Sequence, residues 1–135
     1  MLALSGFFCK PELMRPLRVL VIEDDALIAM LLEQILADMG HNVCATAATE
    51  TEAVLAAHSH RPNLMIVDVR LGRGSGISAV DQILLAGPVA HIFVSGDADK
   101  VRNKRPEAVV VRKPFRQVEL AGAITEALAA VPSAP

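Results

Sequence analysis

The sequence contains no tryptophan and no tyrosine, and its 135 residues include only four phenylalanines and two cysteines. With aromatic residues at 3%, the core has to be built mainly from aliphatic side chains. The cysteines, Cys9 and Cys44, are too few and too far apart for a disulfide framework or a zinc site. A reducing cytoplasm is therefore the expected compartment.

Long apolar runs and an excess of basic charge are also missing. The longest apolar stretch, residues 26–32, is interrupted by Glu33 and falls well short of a membrane span. The apolar start of the chain has no basic region before it, so we expect neither a secretory signal nor membrane insertion. The formal net charge is -2, which gives no reason to expect nucleic-acid binding.

Hydrophobic residues make up 53% of the chain, which is enough for one domain with a real core. The first strand pattern begins just after Met14, so we divide the chain into an N-terminal extension (1–13), a domain (14–131) and a short tail (132–135). The role of the extension stays open.

Apolar runs of strand length alternate with segments of helical periodicity. Strands are expected over 18–22, 42–47, 64–68, 91–94 and 108–111, and helices over 28–39, 50–59, 77–84 and 116–130, with a short or partly formed one in 97–107. Right-handed crossovers fold such a chain into a doubly wound, flavodoxin-like α/β domain, with a five-stranded parallel sheet in the order 2-1-3-4-5.

The helical periodicity predicts which faces are buried. In the first helix we expect an inner face of Ile28, Leu31, Leu32, Ile35, Leu36 and Met39. In the last helix we expect an inward stripe of Val118, Ala121, Ile124 and Leu128. Leu120, Ala127 and Val131 add apolar surface on one side of that helix, which is either partly buried or a patch for dimerisation or partner docking.

Polar side chains follow several of the strands. Asp68 closes the apolar run 64–67, and alone it would be read as the start of a turn. Glu23 and Asp24 leave the first strand, Ser95 the fourth and Lys113 the fifth, and parallel strand ends meet at one edge. Three carboxylates in one crevice repel each other unless a cation lies among them, and oxygen ligands favour Mg²⁺. The lysine and the serine can bind an anion beside the metal.

These motifs together resemble the receiver domain of bacterial two-component response regulators. The resemblance rests on residues 19–25 (Val-Leu-Val-Ile-Glu-Asp-Asp), the strand ending in Asp68, the segment Val94-Ser95-Gly96, and Lys113-Pro114-Phe115. It covers about residues 17 to 130. The sequence is most similar to alphaproteobacterial receivers, both stand-alone ones and those attached to general-stress regulators, and we expect a stand-alone one.

The resemblance implies a phosphoacceptor and a metal site. Asp68 would accept a phosphoryl group in a Mg²⁺-dependent reaction. Asp24 would be a direct metal ligand, Glu23 would act through water, and the backbone carbonyl of Arg70 would complete the protein ligands. Asp25 would begin the first helix.

The resemblance also implies the residues that hold the phosphoryl group. Ser95 and Lys113 would bind it, with a peptide bond to Pro114 that is usually cis in this family. Gly96 is small and would leave room for the phosphodonor. Gly72, Gly74 and Gly76 are interpreted as flexible turn residues, since they match neither a P-loop nor a Rossmann fingerprint.

Two positions suggest how this chain differs from its relatives. The family often carries an aromatic switch residue on its fifth strand, where this chain has Val110. We therefore expect activation through rearrangement of the segment 97–107. We also expect Arg70 and Asp97 to form an ion pair across the mouth of the pocket.

The implied function is a response regulator phosphorylated by a sensor histidine kinase, which signals through protein contacts and is not an enzyme. A phosphate sink or a relay to a histidine phosphotransfer protein stays open, as does a homodimer through the last helix. A receiver-like binding module that is never phosphorylated is a further alternative. An aspartate-nucleophile phosphatase is disfavoured, because it needs Asp-x-Asp after its first strand.

Overall fold

Strands and helices alternate along the chain, as the periodicity predicts. The computed structural model describes residues 15–131, so the predicted extension (1–13) and tail (132–135) lie outside the described residues. The strands are β1 (Arg18–Ile22), β2 (Asn42–Ala47), β3 (Leu64–Asp68), β4 (Arg70–Leu71), β5 (Gly74–Ser75), β6 (Ala90–Ser95) and β7 (Val110–Arg112). The helices are α1 (Ala26–Asp38), α2 (Glu50–His60), α3 (Gly76–Leu84), α4 (Ala98–Lys104) and α5 (Gln117–Ala130).

The five longer strands form one parallel sheet in the order β2-β1-β3-β6-β7. Counting only these strands, this is the predicted order 2-1-3-4-5, so the doubly wound, flavodoxin-like fold is confirmed. The central strand β3 is buried along its whole length, because β1 and β6 flank it and helices cover both faces. Its last residue, Asp68, therefore lies in the middle of the sheet edge.

The predicted inner face of α1 is largely confirmed. Leu32 and Leu36 are buried, and Ile28, Ile35 and Met39 pack against the core. Leu31 is an exception, because it lies on the exposed side of the helix.

The predicted inner face of α5 is correct at Ile124 and wrong at Val118 and Leu128, which are 65% and 41% exposed. Ile124 is buried together with Leu120, Ala123 and Ala127, so Leu120 and Ala127 belong to the core and not to an exposed patch. The buried face is rotated around the helix from the predicted stripe, because Leu120 and small alanine side chains pack on the sheet.

The segment after Asp68 is more ordered than the predicted loop. β4 and β5 form a short antiparallel hairpin in which Arg70 pairs with Ser75 and Leu71 pairs with Gly74. Further along, α4 forms over seven residues and buries Ala98 and Val101, in line with the short helix expected there. Within the part of the chain that the structure describes, no helix is long and apolar enough to cross a membrane.

Candidate functional site

The carboxyl edge of the sheet forms a crevice of about 840 Å³. Its lining includes all five of the polar residues predicted at the strand ends, namely Glu23, Asp24, Asp68, Ser95 and Lys113. Crevices of this volume accommodate small-molecule ligands in many proteins. The structure therefore brings together side chains that lie up to 90 residues apart in the sequence.

Three carboxylates meet in the crevice. Oxygen atoms of Glu23, Asp24 and Asp68 all lie within 4.8 Å of one another. Glu23 and Asp68 are buried, whereas Asp24 is exposed. Carboxylate oxygens at this spacing, one of them open to solvent, suit a hard divalent cation that keeps part of its water shell.

Asp68 is held by a hydrogen bond on each carboxylate oxygen. Its Oδ1 accepts from the backbone N–H of Arg70 at 3.0 Å, and its Oδ2 accepts from Lys113 Nζ at 3.0 Å. Lys113 Nζ also lies 3.9 Å from Glu23 Oε1. The carboxylate is therefore fixed in orientation at the end of its strand, with a positive charge beside it.

Glu23 is the most electrostatically perturbed group in the crevice. Its pKa is raised to about 7, mainly by burial and also by the neighbouring Asp68, although a hydrogen bond from Asp25 N–H to Glu23 Oε2 and the charge of Lys113 oppose the shift. A cation bound nearby would stabilise the ionised form of the Glu23 carboxylate and so lower its pKa. Asp25 caps α1 as predicted, accepting hydrogen bonds from Leu27 N–H and Ile28 N–H.

Ser95 and Lys113 lie on neighbouring strand ends. Lys113 N–H donates to the Ser95 carbonyl at 2.9 Å, and the Lys113–Pro114 peptide bond is cis, as predicted. Ser95 Oγ accepts from Asp97 N–H at 2.9 Å. Gly96 is exposed, and a Cβ added there would meet no atom within 4 Å.

The expected ion pair across the mouth of the crevice is not formed. Both Arg70 and Asp97 line the crevice, but none of the ion pairs among residues 15–131 joins them. Asp97 is instead the N-cap of α4 and accepts from Lys100 N–H. The hydrogen bond from Lys100 N–H orders only the short Asp97 side chain, whereas an ion pair would also have to order the long Arg70 side chain. The cap is therefore favoured over the ion pair.

Val110 occupies the position expected for an aromatic switch. Its side chain is buried on β7, where it pairs with Phe93 of β6. Its carbonyl accepts a hydrogen bond of 3.2 Å from the guanidinium of Arg102 on α4. β7 is therefore linked to α4 through the side chain of Arg102.

Several residues at the site were not predicted from the sequence. Lys100 and Lys104 of α4 line the crevice. Gly76 is tightly packed and not merely flexible, since a Cβ there would lie 2.1 Å from the Asp68 carbonyl oxygen. This contact could not be predicted from the sequence, because it depends on the hairpin that brings the start of α3 back to the end of β3.

Comparisons with known proteins agree with this geometry. Residues 19–125 match the response regulator receiver domain family. The chain is 40% identical over 114 residues to the phyllosphere-induced regulator PhyR of Methylorubrum extorquens, covering 82% of this chain and 43% of that protein. The chain spans about half the length of the curated relatives it matches.

Solved structures of response regulators have the same fold as this chain. The receiver domain of Erythrobacter litoralis PhyR superposes with a TM-score of 0.80 at 37% identity, covering 90% of this chain and 97% of that one. PhyR of Bartonella quintana, in a complex with the anti-sigma factor NepR, gives a TM-score of 0.60 at 35% identity, covering 68% of this chain and 38% of that one. Since the family match extends over most of the chain and the fold agrees, this chain belongs to the response regulator receiver domain family.

Proposed function

We propose that Asp68 accepts a phosphoryl group from a phosphohistidine and that the phosphorylated domain signals by contacting another protein. The observation that carries this proposal is the placement of Asp68. Its buried carboxylate lies 3.0 Å from Lys113 Nζ and within 4.8 Å of two further carboxylates, at the open edge of the sheet. This arrangement suits a nucleophile that must receive an anionic group.

In the transfer, a carboxylate oxygen of Asp68 forms a bond to phosphorus while the bond from phosphorus to the donor nitrogen breaks. The donor imidazole keeps the electron pair of that bond and takes a proton from solvent. Lys113 and Ser95 bind the phosphoryl oxygens in this proposal. Because Ser95 Oγ already accepts from Asp97 N–H, its own hydroxyl proton is left for the phosphoryl group.

Mg²⁺ would be held by Asp24, Asp68 and the carbonyl of Arg70, with Glu23 acting through water. Bound there, it would offset the negative charge that the carboxylates and the phosphoryl group bring together. The donor set fits, since it is made of oxygen atoms and three carboxylates lie within 4.8 Å of one another.

Activation in this proposal runs through α4, not through an aromatic side chain. Ser95 Oγ and Asp97 N–H connect the crevice to the start of α4, and Arg102 connects α4 to the Val110 carbonyl. When Ser95 turns its hydroxyl to the phosphoryl group, the segment 97–107 is the part of the fold that adjusts.

The partners follow from the exposed surfaces. Leu27, Met30 and Leu31 are exposed on α1, which begins beside the crevice, and we assign docking of a histidine kinase or histidine phosphotransfer protein to this α1 patch. Exposed Val118 and Leu128 on α5 would serve a homodimer. The domain would act in the cytoplasm, as a signalling partner and not as an enzyme.

The output is a protein contact in this proposal. PhyR of Bartonella quintana forms a complex with an anti-sigma factor, and this chain is similar to part of that protein. A protein target is therefore favoured over a role as a phosphate sink or a relay intermediate.

Intact-mass measurement after incubation with Mg²⁺ and acetyl phosphate tests the proposal. We expect one lasting phosphoryl group on the wild type and none on Asp68→Asn. Repeated turnover with release of phosphate would indicate a phosphatase. An unmodified wild type, with both acetyl phosphate and a cognate kinase, would indicate a pure binding module.

A further inference from the structure

Glu50 lies outside the crevice and has no part in the chemistry described above. It is the first residue of α2, and that helix is capped by other groups: Thr49 Oγ1 accepts from Glu52 N–H, and Glu52 Oε1 accepts from Ala48 N–H. The side chain of Glu50 is therefore not needed by its own helix. It reaches instead to the segment that follows Asp68.

The Glu50 carboxylate accepts three hydrogen bonds from residues 25 to 32 positions away. Oε2 accepts from Ser75 N–H at 2.7 Å, and Oε1 accepts from Ser78 Oγ at 2.9 Å and from Gln82 Nε2 at 3.1 Å. These hydrogen bonds lower the pKa of Glu50, the one from Ser75 contributing most. The half-exposed carboxylate is thus ionised at neutral pH and tied to the start of α3.

Gly74 allows this close approach. A Cβ at position 74 would lie 2.6 Å from Glu50 Oε2 and 3.0 Å from its Cγ. Such a Cβ would push the carboxylate aside, since the end of a glutamate side chain moves more easily than backbone. The position of the Glu50 carboxylate therefore depends on the absence of a side chain at position 74.

Ser75 carries this contact to the phosphoacceptor. Ser75 of β5 pairs with Arg70 of β4, and Arg70 N–H donates to Asp68 Oδ1 at 3.0 Å. The carbonyl of the same Arg70 is the backbone ligand in the proposed metal site. An interaction that holds the backbone of Ser75 in place therefore also holds the backbone of Arg70. It thereby sets both the orientation of the Asp68 carboxylate and the position of the Arg70 carbonyl.

We propose that Glu50 is a positioning residue, which holds the β4–β5 hairpin so that Arg70 presents its N–H to Asp68 and its carbonyl to the divalent cation. The proposal rests on the function proposed above, because it assigns Glu50 to the same phosphoacceptor site. Glu50 touches neither the cation nor the phosphodonor. Its effect is transmitted through two backbone pairings.

The test compares Glu50→Ala and Glu50→Gln with Glu52→Gln, which removes the same charge from the same helical turn but keeps the oxygen that accepts from Ala48 N–H. The first measurement is amide hydrogen exchange at Ser75 and Arg70 in metal-free protein. Loss of a hydrogen bond to a charged acceptor is expected to speed exchange at Ser75 by about 10-fold or more in Glu50→Ala. Glu50→Gln keeps an oxygen acceptor and is expected to stay within about 3-fold of wild type.

The second measurement is Mg²⁺ affinity, followed by the rate of phosphorylation by acetyl phosphate at saturating Mg²⁺. We expect Glu50→Ala to weaken Mg²⁺ binding by about 10-fold, the lower end of the loss seen when residues behind metal ligands are removed. Glu52→Gln is expected to match the wild type. Equal Mg²⁺ affinity and equal exchange in Glu50→Ala and wild type would overturn the proposal.

A double-mutant cycle keeps the test valid if Glu50→Ala is poorly folded. Gly74→Ala should weaken Mg²⁺ binding in the wild type but have little further effect beside Glu50→Ser, which removes the side chain that the added Cβ would displace. Full additivity would overturn the proposal. A wild type that neither binds Mg²⁺ nor takes a phosphoryl group would instead contradict the proposed function, while the exchange measurement would still test the Glu50 contact.

Discussion

Lys113 Nζ lies 3.0 Å from Asp68 Oδ2 and 3.9 Å from Glu23 Oε1, so one ammonium group serves two buried carboxylates. Asp24 brings a third carboxylate within 4.8 Å of both. Among the described residues, Lys113 is the cation that lies within ion-pair distance of these carboxylates, and burial is the main cause that raises the pKa of Glu23 to about 7. The three carboxylates could therefore hold a metal ion.

The first prediction concerns the pH dependence of the metal-free protein. The pKa of Glu23 rises from 4.5 to about 7 on folding, so the folded state holds an extra proton between these values. The associated stability is present below pH 4.5 and is lost as the pH rises through 7. We expect the free energy of unfolding to fall by ~2 kcal/mol from about pH 5 to about pH 8, measured by urea denaturation in EDTA. Glu23→Gln should flatten this slope, and an unchanged slope in the variant would contradict the assignment.

The second prediction concerns the close packing of Gly76 on Asp68. A Cβ at position 76 would lie 2.1 Å from the Asp68 carbonyl oxygen and 2.6 Å from Val67 Cγ1. Gly76→Ala should therefore destabilise the protein by about 2–4 kcal/mol in urea denaturation. Gly96→Ala, whose Cβ meets no atom within 4 Å, should stay within about 0.5 kcal/mol of wild type. Equal stability of the two variants would show that the β3–α3 packing is looser than described.

The third prediction concerns the α1 patch. Met30 on α1 and Leu55 on α2 are 63% and 62% exposed, so Leu55→Glu is a matched control for Met30→Glu. Met30→Glu should slow phosphotransfer from an active histidine kinase by about 10-fold, because it places a charge within an apolar contact. Phosphorylation by acetyl phosphate, which needs no docking surface, should be the same in both variants. If the two variants accept phosphoryl groups from the kinase equally fast, the docking surface lies elsewhere.

The fourth prediction concerns α4. Phosphorylation of Asp68 should change amide exchange across 97–107, since Ser95 and Asp97 link the crevice to this helix. Arg102→Ala, which removes the hydrogen bond to the Val110 carbonyl, should speed exchange in α4 before phosphorylation by about 5-fold. Lys104→Ala removes a charge from the same helix without that bond and serves as the control. Equal amide exchange rates in residues 97–107 before and after phosphorylation would contradict activation through α4.

The sheet could be predicted from the sequence because each central strand is a short apolar run. β3 begins and ends where predicted, and its closing Asp68 was identified as the centre of the site. Parallel strand ends meet at one edge, so the other polar residues could be placed beside it. The metal cluster of Glu23, Asp24 and Asp68 follows from the same rule.

Contacts between side chains and distant backbone could not be predicted in this way. The buried face of α5 depends on how closely alanines such as Ala123 approach the sheet. The contact of Glu50 with Ser75 depends on how α2 lies against α3. Asp97 accepts a hydrogen bond from the backbone of Lys100 and does not pair with Arg70. Such contacts depend on the three-dimensional arrangement of the elements, which cannot be predicted from the hydrophobic periodicity of a single helix.

The most direct test of the central claim is to locate the phosphoryl group. After incubation with Mg²⁺ and acetyl phosphate, borohydride reduces an aspartyl phosphate to an alcohol, which peptide mass mapping assigns to one residue. We expect the reduced side chain at position 68, and its loss without Mg²⁺ or in Asp68→Asn. Reduction at another carboxylate, or at none while Mg²⁺ and a competent kinase are present, would contradict the account.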